Sequence, residues 1–370
     1  MKNSLGSSVT ITLFGESHGP AIGAVIDGLA PGIRVDTGFI AAQLDLRRPC
    51  GSISTARREA DEFSIVSGVF EGVTTGTPIC IIIPNTSQNS RDYSADRPLA
   101  RPGHADYTAY VKYHGHEDYR GGGHFSGRLT AALVAAGAIA ISALRDKGIL
   151  IGTHISSLGG IRDRQLSADR TALESELLEL STMKFAALGS DAAAAMQEAI
   201  KAAANDGDSV GGVLETAVTG LPAGVGEPWF DTLEGAIAHG IFSIPGIKGV
   251  QFGAGFDLTD ARGSEYNDPM RMNDGNVVTV TNNNGGINGG ISNGMPLIFR
   301  SAVKPTPSIH KEQQTVDFMK GADAVLATGG RHDPAIIHRA RVVVDSVTAL
   351  VLCDMLALRY GTDWLAEKQV

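Results

Sequence analysis

The first part of the chain alternates between apolar and polar positions with the period of a β-strand. Residues 9–14 (VTITLF) and 21–26 (AIGAVI) predict two strands. The sequence between them is Gly15-Glu16-Ser17-His18-Gly19, so we predict a hairpin with a polar tip. A short unbroken apolar run at residues 79–83 predicts a further strand that is buried on both faces.

Other segments have the spacing or composition of helices. Residues 37–48 place apolar side chains on one side. The segment from Ser126 to Gly148 is rich in alanine and leucine, which predicts a long helix whose small side chains let a neighbour approach closely. Two acidic, alanine-rich segments, 171–180 and 191–204, predict helices on the solvated face.

The second half of the chain mixes strands with helices. Helices are predicted at residues 230–239 and from Asp333 to about residue 359, and strands at 149–155, 212–218, 249–253, 277–280 and 297–303. Because there is no regular βαβ alternation, we predict an α+β fold with a largely antiparallel sheet. A chain of 370 residues could form one large or two ordinary domains.

Charge is unevenly distributed. The chain has 31 Lys and Arg against 40 Asp and Glu, a net charge of −9, which argues against nucleic-acid or anionic-membrane partners. Residues 165–240 hold twelve acidic and three basic residues, which accounts for the whole excess. A small anionic molecule would therefore have to bind elsewhere, in a locally basic pocket.

Cysteine usage and the N-terminus bear on the compartment. Cys50, Cys80 and Cys353 are far apart and in no CxxC pattern, which predicts a reducing compartment and no zinc site. We interpret Cys80 and Cys353 as small core residues. The N-terminus lacks the charged and apolar regions of a signal peptide, and we predict no apolar run as long as the ~20 residues of a membrane span. We therefore expect a soluble, cytoplasmic protein.

The strongest chemical signal lies in residues 101–128. Arg101 and Arg128 can each present a planar fork of donors to a carboxylate or phosphate. The same stretch holds three consecutive glycines directly before a predicted helix, and four histidines able to transfer protons near neutral pH: His104, His114, His116 and His124. We interpret it as an anion site; the alternative is a surface loop with solvated charges.

Further candidates lie outside that stretch. His18 sits at a glycine-flanked tip, and the phosphate-binding candidate at 304–308 combines a lysine with two hydroxyls: Lys304, Pro305, Thr306, Pro307 and Ser308. Asp333 either takes part in chemistry or caps the helix that follows it. The glycine- and asparagine-rich run at 282–294 is either a linker or a place where backbone approaches a cofactor.

These stretches, taken in order from about residue 9 to 360, resemble the chorismate synthase family. The resemblance rests on five motifs: residues 15–19, 101–106, 121–128, 304–306 and 331–334. It implies one domain over residues 1–370, with antiparallel sheets sandwiched with helices. It also implies conversion of 5-enolpyruvylshikimate 3-phosphate to chorismate and phosphate by anti 1,4-elimination with reduced FMN, in aromatic amino-acid biosynthesis.

The resemblance also implies roles for individual residues. His104 would assist the leaving phosphate and His18 would protonate reduced flavin, while Asp333 with Ser17 or Ser126 would assist proton movement. The cationic residues that match the family's substrate contacts are Arg47, Arg48, Arg101, Arg128 and Arg331. The positions that match its flavin contacts are His124, Phe125, Ser126, Pro245, Gly246, Gly289, Lys304, Pro305, Thr306, Pro307, Ser308 and Arg331.

The same resemblance implies partners. NADPH would serve as reductant, with Arg47 at the matching contact, or an external flavin reductase would take its place. A homotetramer is expected. The chain departs from the family pattern at 122–129, where it reads GGHFSGRL in place of Gly-Gly-Arg-Ser-Ser-Ala-Arg-Glu, and it lacks an arginine between Pro49 and Ala56.

Two other classes of function are weighed against this one. His114, His116 and Asp118 form an HxHxD pattern, which is compatible with a metal-dependent phosphate-ester hydrolase. A non-catalytic protein that binds anions or nucleic acid is a third possibility, although the chain has no extended basic stripe interleaved with aromatics.

Overall fold

Two antiparallel sheets enclose a layer of helices. The computed structural model describes residues 2–49, 51–54, 60–86, 98–328 and 332–366. The helices are α1 (Thr37–Arg47), α2 (Asp106–Lys112), α3 (Thr130–Asp146), α4 (Arg170–Leu180), α5 (Ser190–Asn205), α6 (Leu233–Phe242), α7 (Gly263–Tyr266) and α8 (Ile337–Tyr360).

The strands form two five-stranded sheets and four small hairpins. Sheet 1 has the order β1 (Ser4–Leu5), β2 (Thr10–Gly15), β3 (Ala21–Asp27), β7 (Ile79–Pro84) and β4 (Ser64–Ser67). Sheet 2 has the order β11 (Ile247–Phe252), β16 (Leu297–Val303), β10 (Gly212–Thr219), β8 (Leu150–Leu158) and β9 (Ile161–Arg162). The hairpins pair β5 (Val69–Phe70) with β6 (Val73–Thr74), β12 (Met270–Asn273) with β13 (Asn276–Thr279), β14 (Ile287–Asn288) with β15 (Ile291–Ser292), and β17 (Gln313–Asp317) with β18 (Ala322–Leu326).

The predicted N-terminal hairpin and the fold class are confirmed. β2 pairs antiparallel with β3 from Thr10 opposite Asp27 to Gly15 opposite Ile22, so His18 lies at the tip. The two main sheets are antiparallel throughout, with helices between them, and the fold is α+β.

Strand β7 is not buried on both faces, which corrects the prediction. Ile79, Ile81 and Ile83 are buried, whereas Cys80 and Ile82 are partly exposed. The cause is that helix α3 packs against the inner face of sheet 1. The side chains of β7 on that face are buried, and those on the opposite face are partly exposed to solvent. Cys80 is therefore less enclosed than predicted, whereas Cys353 is fully buried and burial raises the pKa of its thiol to about 12.

Helices α3 and α8 form the centre of the helical layer. α3 packs against β3 and β7 of sheet 1, and α8 packs against β8 and β10 of sheet 2. They approach closely at Gly137, where a Cβ would lie 2.3 Å from the Cβ of Ser346. The predicted role of small residues in α3 is confirmed. Residues Gly127–Asp146 are long and apolar enough to span a membrane by length and composition, contrary to our prediction, but 89% of the apolar window is buried as in a core helix.

Two predictions are corrected in detail: the exposure of the acidic helix α4 and the residue at which α8 begins. α4 lies on the outer face of sheet 2 and buries Leu173, Leu177 and Leu180 there, so only its other side is solvated. α8 begins at Ile337 with Ile336 as its N-cap and without a side-chain cap. Asp333 therefore does not cap the helix; it lies one turn earlier in the chain.

The run at 282–294 is an ordered part of the fold, which excludes the linker interpretation. The carboxylate of Asp268 accepts hydrogen bonds from Thr281 Oγ1, Asn283 N and Asn284 N at 2.6, 2.7 and 2.9 Å. A Cβ on Gly285 would meet the backbone N of Gly253 at 2.5 Å. The glycines of this run thus allow protein backbone to pack against protein backbone.

We predict that Gly137→Ala destabilises the protein, although alanine normally stabilises a helix interior by roughly 1 kcal/mol over glycine. The added methyl overlaps Ser346, and forcing such a contact costs about 1–3 kcal/mol. Thermal unfolding should show a lower Tm. The matched control is Gly263→Ala in α7, where the nearest atom to the new Cβ lies 3.6 Å away; equal Tm values for the two variants would contradict this packing.

Candidate active site

A large cavity lies at one end of the helical layer. Its volume is about 1450 Å³. The first turns of α3 and α8 line it through Thr130, Leu133, Arg339, Ala340 and Val343, and Arg47 at the C-terminal end of α1 completes this wall. Two helix N-termini at one cavity favour negative charge, because their free backbone N–H groups and dipoles are positive.

The cavity is basic although the chain is acidic. Among the described residues, eight Lys and Arg line it against five Asp and Glu. Half of the chain's ten histidines also line it: His18, His104, His124, His239 and His332. The locally basic pocket that the charge distribution requires is therefore present.

The floor of the cavity contains a buried ion triad. Asp61 Oδ2 lies 3.1 Å from Arg47 Nη2, and Asp61 Oδ1 forms a short ion pair with Arg128 Nη1. All three side chains are at most 6% exposed. Burial alone would raise the pKa of Asp61, but the two guanidinium groups outweigh it and lower that pKa. Burial lowers the pKa of Arg47 to about 10, so Arg47 remains charged at neutral pH.

A second carboxylate holds Arg101 and His104. Asp106 receives Arg101 Nε at 2.8 Å and Nη2 at 2.7 Å, and its Oδ1 lies 3.1 Å from His104 Nδ1. Burial would raise the pKa of Asp106, but hydrogen bonds from Arg101 and His104 hold it well below the usual range. The other edge of the His104 ring faces Gly122, where a Cβ would lie 3.2 Å from Cε1. A carboxylate on Nδ1 fixes the ring and leaves Nε2 toward the cavity.

His18 packs against the glycine-rich turn. A Cβ on Gly121 would lie 2.5 Å from His18 Cε1 and 3.1 Å from Ser17 Oγ, so the turn can close on His18 only with glycine at this position. Gly121, Gly122 and Gly123 all have positive φ, which glycine adopts without strain. The hairpin tip is tied to the turn by a hydrogen bond from Ser17 N to Gly123 O at 3.1 Å.

The residues that depart from the family pattern have structural partners. His124 Nδ1 lies 2.8 Å from Gly15 O, and Phe125 packs edge-on against Tyr113 with ring centroids 6.0 Å apart. Ser126 Oγ accepts a hydrogen bond from Arg128 N at 3.2 Å and so begins the turn that leads into α3.

The opposite wall carries hydroxyl groups and a lysine. Lys304 Nζ donates a short hydrogen bond to Gly103 O, which joins the 304–308 segment to the 101–106 loop. Gly246 O accepts from Lys304 N at 2.9 Å, and Pro245 and Gly246 both line the cavity. Thr306 also lines the cavity, and its Oγ1 is buried without a hydrogen-bond partner among the described residues.

Asp333 and Arg48 lie on the same rim. Asp333 forms a short ion pair with Arg339 Nη1, and Arg339 Nε donates to the backbone O of Arg47 at 2.8 Å. Arg48 Nη1 lies 3.5 Å from Asp45 Oδ1.

The structure brings most of the predicted residues to one place. Residues predicted from the sequence that line the cavity are His18, Arg47, Arg48, Arg101, His104, His124, Phe125, Ser126, Arg128, Pro245, Gly246, Lys304, Thr306, Pro307, Ser308 and Asp333. Ser17 lies behind Gly121, Pro305 is not on the lining, and Gly289 lies in the β14–β15 turn away from it. Arg331 lies outside the described residues.

Three residues of this site were not predicted from the sequence to be functional. Asp61, Asp106 and Arg339 each hold a predicted residue in place. Asp106 could have been found, because a carboxylate two positions after His104 is within reach of its ring. Asp61 follows its partner Arg47 by 14 positions and precedes Arg128 by 67, and no local pattern marks it.

The HxHxD pattern does not assemble a metal site among the residues that the structure describes. His114 and His116 are exposed, and Asp118 pairs with Arg120 at 2.7 Å. No group of three or more potential ligands occurs in this part of the chain. The metal-dependent hydrolase is therefore not supported.

Comparisons with known proteins identify the family. A family model described as chorismate synthase matches residues 9–357. The chain is 44% identical to a chorismate synthase of Pyrococcus abyssi over 96% of its length and 97% of that protein. It is 46% identical to one of Dehalococcoides mccartyi, with 98% of both chains covered. A solved structure described as "Crystal Structure of Chorismate Synthase" superposes with a TM-score of 0.76 at 28% identity, covering 96% of this chain and 94% of the other.

The chain belongs to the chorismate synthase family. It is accordingly a carbon–oxygen lyase that acts on phosphate, in the shikimate pathway of aromatic biosynthesis. The resemblance drawn from the five motifs is confirmed at the level of the family.

We predict that Asp106→Asn lowers the free energy of unfolding by about 2 kcal/mol at pH 7, because a paired carboxylate with a depressed pKa is lost. That contribution is complete above the ordinary pKa of 3.8 and disappears as the pH falls through the folded-state value. The difference from wild type should therefore shrink below about pH 4. Thermal unfolding at several pH values, with the exposed Asp257→Asn as control, measures this; a pH-independent difference would exclude the charge-based cause.

Proposed function

We propose that the protein converts 5-enolpyruvylshikimate 3-phosphate to chorismate and phosphate by anti 1,4-elimination, with reduced FMN as cofactor. The observation that carries this proposal is the convergence of Arg47, Arg48 and Arg128 with His18 and His104 on one basic cavity. The substrate has two carboxylates and a phosphate, so it needs several fixed cations at once. Family membership supplies the reaction class.

Binding is the first task of these residues. The guanidinium groups of Arg47 and Arg128 are buried and anchored, so they need little reorganisation to meet an anion. Arg47 Nε is buried without a hydrogen-bond partner among the described residues. The cavity walls exclude water around these charges, which strengthens each contact.

His104 is the candidate that moves a proton at the departing phosphate. Asp106 on its Nδ1 fixes the orientation of the ring, and the Nε2 edge faces Gly122 on the cavity lining. His18, enclosed by the hairpin tip and Gly121, is the second candidate and would hold a proton close to the cofactor. Arg101 donates a hydrogen bond to Asp106, the carboxylate that also contacts His104. We therefore propose that Arg101 contributes to substrate binding by its own charge and by helping to position His104.

The cavity fits reduced FMN on the chemistry of its donors. Lys304, Ser308 and the unpartnered hydroxyl of Thr306 line one wall and suit a phosphate, and Gly246 and His124 leave room beside them. Residues proposed to hold the cofactor are His124, Phe125, Ser126, Pro245, Gly246, Lys304, Thr306, Pro307, Ser308 and Arg331; Gly289 and Pro305 do not line the cavity and are left out of this set. The chemistry that the bound cofactor supplies is transient electron donation that assists departure of phosphate.

The proposal extends to the surroundings of the reaction. NADPH, bound through Arg47, or an external flavin reductase would keep the flavin reduced. We place the enzyme in the cytoplasm as a homotetramer, in keeping with its family. The larger of the two hydrophobic clusters among the described residues contains side chains from Val9 to Leu365, which supports one domain over residues 1–370.

The test is an anaerobic assay with purified protein, photoreduced FMN and 5-enolpyruvylshikimate 3-phosphate. Chorismate absorbance and released phosphate are followed together. Equal amounts of both are expected, and none with oxidised FMN alone. Phosphate without chorismate would contradict the lyase function, and adding NADPH to the oxidised sample separates an intrinsic from an external reductase.

In this assay, His104→Ala should lower kcat by about 10²-fold or more, because loss of a positioned proton donor costs about that much. His18→Ala should do the same with saturating reduced FMN. Both variants should keep the wild-type far-UV circular dichroism. His116→Ala, at an exposed position just after α2 and off the cavity, is the control; wild-type kcat in the His104 variant would refute its role.

A further inference from the structure

We propose that Asp61 is a positioning residue, which holds Arg47 and Arg128 together as one anion-binding unit. This inference rests on the proposed function, because it concerns how the same cavity binds its anionic substrate. Asp61 is the carboxylate that the two guanidinium groups share. The proposal gives Asp61 no part in proton transfer.

The geometry of the triad supports this assignment. Arg47 ends α1 and Arg128 lies in the turn before α3, so the two cations come from separate elements. Each oxygen of Asp61 contacts one of them, and this bridge spans the gap between the elements.

The remaining contacts fix each guanidinium at other edges. Arg47 Nη1 lies 3.3 Å from Thr130 Oγ1. Arg128 Nε donates to Asn85 Oδ1 at 3.0 Å, and its Nη2 lies 3.3 Å from Pro84 O. With these edges held, the two guanidinium groups are fixed beside the cavity that both arginines line.

Charge explains why a carboxylate is needed at this place. Two buried guanidinium groups repel each other strongly where water is excluded. One carboxylate between them offsets this repulsion and leaves a net positive charge for an anion. An amide could serve only one of the two arginines, because it has one acceptor oxygen and its NH₂ group would face the other guanidinium.

The backbone of Asp61 makes the substitution clean. Its φ is +49°, a region that asparagine and aspartate enter more readily than other non-glycine residues. Asp61→Asn therefore keeps the volume and the backbone conformation, while it removes the charge and replaces one acceptor oxygen with an NH₂ group. Asp274, with φ +47° in the exposed turn between β12 and β13, provides the matched control Asp274→Asn.

Two roles for Asp61 predict opposite results. If Asp61 only weakened the positive field, its removal would strengthen anion binding and lower KM. If it positions the arginines, its removal frees one of them, and KM should rise. Asp61→Glu separates the roles again, because it keeps the charge but moves the carboxylate by one methylene.

The experiment measures kcat and KM for 5-enolpyruvylshikimate 3-phosphate with reduced FMN. For Asp61→Asn we expect KM to rise about tenfold or more, with a smaller change in kcat; Asp61→Glu should raise KM in the same direction, and Asp274→Asn should match wild type. A KM that is unchanged or lower in both Asp61 variants overturns the proposal. If the Asn variant does not fold, the Glu variant decides.

Calorimetric titration of the same substrate without FMN separates this proposal from the proposed function. Weaker binding to the Asp61 variants than to wild type supports the positioning role even if no chorismate forms. Wild-type binding without chorismate formation contradicts only the proposed function, and equal binding by wild type and both variants contradicts only the role of Asp61.

Discussion

The close contact between α3 and α8 is the constraint on which the site depends. Gly137 lets the two central helices meet at Ser346, and a side chain there would force them apart. Further along, Cys353 Sγ lies 3.9 Å from Ala140 O, so the helices run in the same direction. Their N-terminal turns therefore reach the same end of the layer, where the cavity lies. Packing in the core thus determines where backbone N–H groups, Arg128 and Arg339 meet.

Charged side chains at the cavity are buried together with partners of opposite charge. An unpaired cation in a closed cavity would be costly, and an arginine paired too completely could not bind substrate. The cavity resolves this with fewer carboxylates than cations: Asp61 serves two arginines, and Asp106 serves Arg101 and His104. The remaining positive charge lies where an anion can reach it. The acidic helices α4 and α5 do not line the cavity, and the acidic excess of the chain lies in residues 165–240, which include them.

Local patterns predicted the elements well, because strand and helix periodicity depend on near neighbours. The β2–β3 hairpin, α3 and the α+β class could be predicted in this way. The single-sided burial of β7 could not, because it depends on which elements cover sheet 1. The sequence allowed two roles for Asp333, a helix cap or a part in the chemistry. Because α8 begins only at Ile337, Asp333 is not the cap.

The candidate site was predictable where several chemical residue types cluster in the chain, as in residues 101–128. Residue types also indicated the distant segments 15–19 and 304–308, and the motif resemblance then assigned them to the same site. Asp61 escaped both routes, because its role exists only once α1 and the turn before α3 have come together. The run that contains Gly285 and Gly286 was interpreted as a linker or a cofactor contact, whereas the neighbours of these two glycines are backbone atoms in and beside β16 and just after β11.

The most direct test of this account is a crystal structure of the protein with 5-enolpyruvylshikimate 3-phosphate and FMN. The account predicts substrate density in the cavity, with its anionic groups within hydrogen-bond distance of Arg47, Arg48 or Arg128 and with His104 Nε2 facing the phosphate. Substrate density outside the cavity, or in it with no contact to these arginines, would contradict the account.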